Sequence, residues 1–154
     1  MAALTRIFHH EAGIIAARNL SDDDVSHYPR SGETMLYRHS ADMSTQHNTR
    51  MRDGKGTVTV KHLLDPGEMF GKGRLFAELT VPPGASIGLH RHEGTVEAYY
   101  FLEGKGRYQD NDQFYEVAAG DLTLVDDNDS HGVENTGDTP LKLIGLVLFT
   151  DGKP

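Results

Sequence analysis

A chain of 154 residues has the length of one domain and can bury a core without disulfide or metal staples. It contains no cysteine, which excludes disulfides, zinc fingers, iron–sulfur clusters and cysteine nucleophiles together, so any metal must be held by nitrogen and oxygen. A net charge of −8 with no basic run opposes nucleic acid as a partner, and no apolar stretch approaches the roughly 20 residues of a membrane helix.

The first 34 residues read as a peripheral extension. Leu4, Ile7, Phe8, Ile14 and Ile15 carry a partial helical period that predicts a helix around residues 4–18, and Ser21 with Asp24 at its third position suits a capped turn. Asp22, Asp23 and Asp24 read as a solvated loop, since a metal-binding acidic loop needs further spaced oxygens. Charge and histidine interrupt the first 15 residues where a secretory segment would be apolar, so the expected location is cytoplasmic.

Residues 35 to about 56 are polar and turn-rich and read as a lead-in to the second region, a domain spanning 35–154. From residue 57 the pattern changes to period two. "TVTVKHLL", "RLFAELTV", "VEAYYFL", "RYQ", "QFYEV", "DLTLV", "HGVENT" and "LKLIGLVLF" are separated by glycine, proline, aspartate and asparagine turns. Eight or nine short strands without helix signals predict an all-β sandwich, barrel or jelly roll. The three "GKG" triplets at 54, 71 and 104 lack the lysine-serine/threonine and helix of a phosphate loop and read as turns.

Residues 84–104, "GASIGLHRHEGTVEAYYFLEG", pose two incompatible readings. Gly84 to Gly88 fits the G-x-S-x-G pattern of a hydrolase nucleophile, but Ser86 lies between the "VPPG" turn and a strand with no helix after it, which removes the elbow such a serine needs. His90 and His92, two apart on a strand, face the same side, and a turn at Glu93-Gly94 brings Glu97 back toward them from the neighbouring strand. Among nine histidines a pair at this spacing also arises by chance, and ordinary surface imidazoles are the plain alternative.

The full frame is more specific: Gly84, five residues, His90, one, His92, four, Glu97, six, Gly104. It resembles the first motif of the cupin superfamily at every defined position. "GDLTLVDDNDSHGVEN" resembles the second motif through Gly120, His131 and Asn135, with Asp126 and Asn128 standing where the family usually has proline and glycine. Asn128 tolerates the left-handed turn that glycine would take, and the turn is expected to form. The resemblance covers about residues 35–150 and includes small single-domain cupins reading "KGTV", "HLL", "GKGRLFA" and "NTGD" in similar order.

This resemblance implies a double-stranded β-helix, the cupin jelly roll, and four metal ligands: His90, His92, Glu97 and His131. Three imidazoles and a carboxylate suit one divalent ion of iron, manganese, zinc, nickel, cobalt or copper without naming it. It further implies a small-molecule ligand and, leaning toward catalysis, a metal-dependent dioxygenase, decarboxylase or isomerase type of enzyme on a small oxygenated or carboxylated substrate; the alternative is a non-catalytic binding or sensing module. Tyr99, on the same face as Glu97, is the candidate proton or hydrogen-bond donor. Lys72 and Arg74 are candidates to meet a carboxylate, with exposed turn charges the plainer reading. His9, His10, His27, His39, His47 and His62 read as surface or partly buried imidazoles, His62 being set apart by a strand that could line the barrel. Sheet edges covered by a second chain predict a homodimer.

Overall fold

The computed structural model describes residues 36–150. The helix expected over 4–18, the turn at Ser21–Asp24, and His9, His10 and His27 lie outside the described residues.

Ten strands follow in order: β1 (Thr45–Thr49), β2 (Thr57–Leu64), β3 (Gly73–Val81), β4 (Ser86–Arg91), β5 (Thr95–Glu103), β6 (Lys105–Asp110), β7 (Gln113–Ala118), β8 (Leu122–Val125), β9 (Ser130–Asn135) and β10 (Leu141–Phe149). They form two antiparallel sheets, one ordered β1-β2-β3-β10-β5-β8 and the other β4-β9-β6-β7. The all-β fold expected from the period-two pattern is therefore present, in the two-sheet form that the family resemblance implies. Alternation puts Val58 and Val60 of β2, Leu79 and Val81 of β3, Phe101 of β5 and Leu141 and Leu143 of β10 into one buried core between the sheets. Burying each such side chain contributes about 1.5–3 kcal/mol. Among the described residues, no helix is long and apolar enough to cross a membrane.

Two expectations need correction. The polar stretch expected as a lead-in contains β1, an edge strand paired with β2 from Thr45↔Lys61 to Thr49↔Thr57. Its residues are almost all exposed, so no apolar alternation marks it; instead Thr49 Oγ1 meets Thr57 Oγ1 at 3.0 Å and His47 Nδ1 meets Thr59 Oγ1 at 3.1 Å across the strands. The second correction concerns β4 and β5, which are not hairpin neighbours: β4 belongs to the four-stranded sheet and β5 to the six-stranded one. The turn at Glu93-Gly94 crosses between sheets, with Gly94 at φ +68°. Glu97 thus faces the histidines from the opposite wall, across the interior.

The second-motif turn forms without the family's proline. Asn128 adopts φ +71°, Asp129 N–H donates to Asp126 O at 3.2 Å, and Asn128 N–H donates to His92 O at 2.8 Å. The Asp127 carboxylate accepts from Gly94 N–H at 2.7 Å, tying this turn to the one that carries the first motif.

Candidate metal centre

Four elements bring one donor each to a single point. His90 lies on β4, His92 just beyond its end, Glu97 on β5 and His131 on β9, where His131 is the register partner of His90. One donor atom from each lies within 4.8 Å of all the others. Glu97 Oε2 is 2.8 Å from His131 Nε2, 3.2 Å from His92 Nε2 and 3.7 Å from His90 Nε2, and the His92 and His131 Nε2 atoms are 3.1 Å apart. Adjacent ligands around an ion at about 2.1 Å sit about 3 Å apart, so these separations fit a single ion. The quartet expected from the two motifs is assembled.

The outer ring nitrogens explain why the inner ones converge. His90 Nδ1 donates to the Gly88 carbonyl at 2.9 Å, which fixes the tautomer whose Nε2 lone pair is available to an ion. His92 Nδ1 meets Thr95 Oγ1 at 3.0 Å, and His131 Nδ1 meets Tyr108 Oη at 3.0 Å. Such partners orient metal-ligating histidines and set their tautomer. Thr95 and Tyr108 were not singled out from sequence. Thr95 stood three residues after His92, but Tyr108 reaches His131 only through the β6–β9 pairing.

Protonation also suits a cation. Burial pushes the Glu97 carboxyl up, yet the facing His131, His90 and His92 imidazoles outweigh it and hold the group well below the ordinary carboxylate range. Burial pushes His131 down, only partly opposed by Glu97. An ionised carboxylate beside a neutral imidazole is the form in which both serve as ligands. The sign of the pH effect follows. Below the ordinary histidine value of 6.5 the unfolded chain binds a proton that folded His131 refuses, and below 4.5 Glu97 acts in the same direction. The metal-free protein is expected to lose stability as pH falls from 7 to 5, and a separate metal-loaded sample to release its metal over the same interval. Thermal melts at the two pH values check this; an unchanged or higher melting temperature at pH 5 would contradict it.

Tyr99 is 1 % exposed, its ring stacked on His131 at 4.8 Å between centroids. Burial, then the charge of Glu97, pushes its hydroxyl well above the ordinary phenol value, with Arg52 pulling weakly the other way. It stays protonated at neutral pH, a donor rather than a base.

A cavity of about 120 Å³ opens beside the quartet, lined in part by His90, Glu97, Tyr99, His62, Arg52 and Arg74. A space of this size holds several waters and admits a small molecule beside the quartet. Of the sequence candidates, Arg74 and His62 reach this cavity, and Lys72 does not line it. Arg52 was not anticipated. Ser86 Oγ accepts the Lys55 N–H at 2.9 Å, a structural bond within strand packing, in keeping with the rejection of a nucleophilic serine.

Comparison with known proteins agrees with this geometry. The family model described as "Cupin domain" matches residues 77–149. An oxalate-binding protein of Thermotoga maritima is 41 % identical over 120 residues, covering 78 % of this chain and 98 % of that protein. The oxalate decarboxylase OxdC of Bacillus subtilis is 38 % identical over 80 residues, 49 % of this chain but 20 % of the decarboxylase. Among solved structures, a Thermotoga maritima protein described as a predicted oxalate decarboxylase superposes with a TM-score of 0.71 at 42 % identity, covering 75 % of this chain and 99 % of that one.

Proposed function

The chain belongs to the cupin family, and from that premise we propose that His90, His92, Glu97 and His131 hold one divalent transition-metal ion and that the protein is a metal-dependent enzyme acting on a small carboxylate of the oxalate class. The observation that carries this is the convergence of three oriented Nε2 atoms and one ionised carboxylate beside a small cavity of about 120 Å³. A bound ion of this kind supplies Lewis acidity toward the carboxylate oxygens. The chain's own residues do the rest. The buried wall of Tyr99 and Val147 limits water beside the ligand, and the Tyr99 hydroxyl donates a hydrogen bond or proton toward it. The names of the two relatives support oxalate as the first ligand to try.

A second reading, ligand binding without turnover, is favoured by one observation: among the described lining residues the only carboxylate is Glu97, itself a proposed ligand. A site that cleaves a carboxylate must protonate the carbon left behind, which here leaves Tyr99 and His62.

Elemental analysis of untagged protein is expected to find about one equivalent of iron, manganese, zinc, nickel, cobalt or copper per chain, or uptake of one after reconstitution. Calorimetry with oxalate, and a formate and CO₂ assay on the loaded protein, then separate the readings. Tyr99→Phe should keep its metal and, if the protein is an enzyme, lose about 100-fold in kcat. Failure to take up any of these ions would sink both readings, and tight oxalate binding with no product would select the second.

The outer face of the six-stranded sheet supports a homodimer. Leu122 and Leu124 on the edge strand β8 are 67 % and 64 % exposed, with Tyr100 and Leu102 on the neighbouring β5 and Leu148 on β10 beyond it. Such a patch beside an open sheet edge suits a second copy. Sedimentation is expected to give a dimer at micromolar concentration, and Leu122→Glu with Leu124→Glu a monomer; a wild-type monomer removes the proposal.

A further inference from the structure

Two arginines reach the metal cavity by way of irregular backbone. Arg74 occupies an even position of β3, whose odd positions Leu75, Ala77, Leu79 and Val81 face the interior. It should point outward. Between β3 and β10, however, Val147 pairs with Leu75 and Leu148 with Gly73, so Arg74 is the extra residue of a β-bulge. Bulges re-aim side chains, and this one lets Arg74 line the cavity. Arg52 is carried by the 3-10 turn Met51–Asp53, in which Arg52 and Asp53 have φ of +54° and +62°, and the preceding Arg50 has φ of +53°. Three such residues in one short segment cost of order 1–3 kcal/mol each and persist only where the surroundings hold them. Among the described residues neither Arg52 nor Arg74 has a carboxylate partner, although the chain carries eight more negative than positive charges.

The inner face of the six-stranded sheet carries small residues next to the cavity wall. His62 of β2 pairs in register with Ala77 of β3, Ala77 with Gly145 of β10, and Gly145 with Tyr99 of β5. Strand spacing puts about 14 Å between the His62 and Tyr99 backbones, spanned on the inner face by the two smallest side chains available. A Cβ on Gly145 would meet Leu79 Cδ1 at 2.8 Å, Glu97 Oε1 at 3.4 Å and Tyr99 Cε1 at 3.5 Å, so the missing side chain lets Leu79, the carboxylate and the tyrosine ring close on the strand. At the far end of this row neither ring nitrogen of His62 has a hydrogen-bond partner, although both are shut off from solvent. Buried imidazoles are normally satisfied, and one that is not marks a place where something polar belongs.

Resting on the reading of the quartet as a metal site for a small carboxylate, we propose that Arg52, Arg74 and His62 form a second anchor across the cavity, which selects dianions over monoanions. One end of the ligand meets the quartet side. Its outward oxygens meet the two guanidinium groups at the mouth and the His62 imidazole on the wall. The chemical class is therefore a compact dicarboxylate rather than a simple monocarboxylate. The three residues belong to ligand binding and are not metal ligands.

The test uses the full chain loaded with one equivalent of manganese, with oxalate, malonate and acetate titrated by calorimetry. Wild type should bind one or both dianions, with acetate much weaker. Arg52→Gln combined with Arg74→Gln, both at exposed positions, should weaken dianion binding at least tenfold, change acetate binding by less than threefold, and flatten the salt dependence. His62→Leu should weaken dianions roughly tenfold, and His62→Gln, which restores a donor, should recover part of that. Dianion affinity within twofold of wild type in the double arginine variant would overturn the proposal while leaving the metal site standing. Loss of manganese from that variant would overturn it as well, since cations at the mouth cannot be holding the ion. Wild type that takes up manganese and binds neither dianion removes both this inference and the carboxylate reading.

Discussion

His131→Ala is expected to abolish stoichiometric metal binding while leaving the β-rich circular dichroism intact. His131 is fully buried, and its Nε2 lies 2.8 Å from Glu97 Oε2 and 3.1 Å from His92 Nε2, so its loss removes a donor from the middle of the cluster, and a water entering from the adjacent cavity is a weaker ligand than the imidazole. Loss of an outer partner of a metal ligand typically costs 10- to 100-fold in affinity, and loss of the ligand itself should exceed that range. The same reasoning grades a second variant. Tyr108→Phe removes the hydroxyl at 3.0 Å from His131 Nδ1 but keeps the ring, so metal affinity should fall by about 10- to 100-fold without a change in stoichiometry at saturation. Burial holds the Tyr108 hydroxyl up at a pKa of about 12, so its effect should not vary between pH 7 and 9. Competition against a chelator reads both. Full metal retention by His131→Ala would exclude it as a ligand, and would place the ion, if any, on the first-motif residues alone.

The quartet was legible in sequence because each ligand sits at a fixed offset within two short motifs, and because alternation tells which side a strand residue faces. The strands of the core were legible for the same reason: Val58, Val60 and Leu79 alternate with polar neighbours. What escaped lies where alternation fails. β1 is an edge strand with no buried apolar residue, so its Thr-Gln-His-Asn-Thr carries no period. Arg74 faces the cavity only because a bulge breaks its phase, and Arg52 only because non-glycine residues adopt positive φ, which sequence does not announce. The placement of Glu97 on the opposite sheet was missed because a two-residue glycine turn serves a hairpin and a crossing between sheets alike. The ligand set could thus be read from spacing, whereas the rim that would choose among ligands could not.

Gly88→Ala tests the link between that rim and the histidine strand, and should be the most damaging single methyl group in the fold. A Cβ at Gly88 would stand 2.0 Å from Arg52 O and 2.8 Å from Gly54 N, and one at Gly54 would reciprocally stand 2.2 Å from Ser86 O. Both obstacles are backbone, so no side chain can swing aside; the turn Met51–Asp53 must lift from β4. Overpacking of this kind costs about 3 kcal/mol. The backbone of Gly88 is not in the left-handed region, so the cost is steric and separates from the conformational one at Gly84, where φ is +72° and nothing lies within 4 Å of an added Cβ. Gly84→Ala should cost only about 1 kcal/mol. Lifting the turn also lets Arg50, Arg52 and Asp53 relax from positive φ, which withdraws Arg52 from the cavity mouth, and shifts the Gly88 carbonyl that holds His90 Nδ1. Gly88→Ala should therefore weaken metal binding about tenfold in addition to lowering the urea midpoint, whereas Gly84→Ala should leave metal binding unchanged. Equal urea midpoints for the two variants would show that the turn is not seated on β4 as the structure has it, and would detach Arg52 from the site.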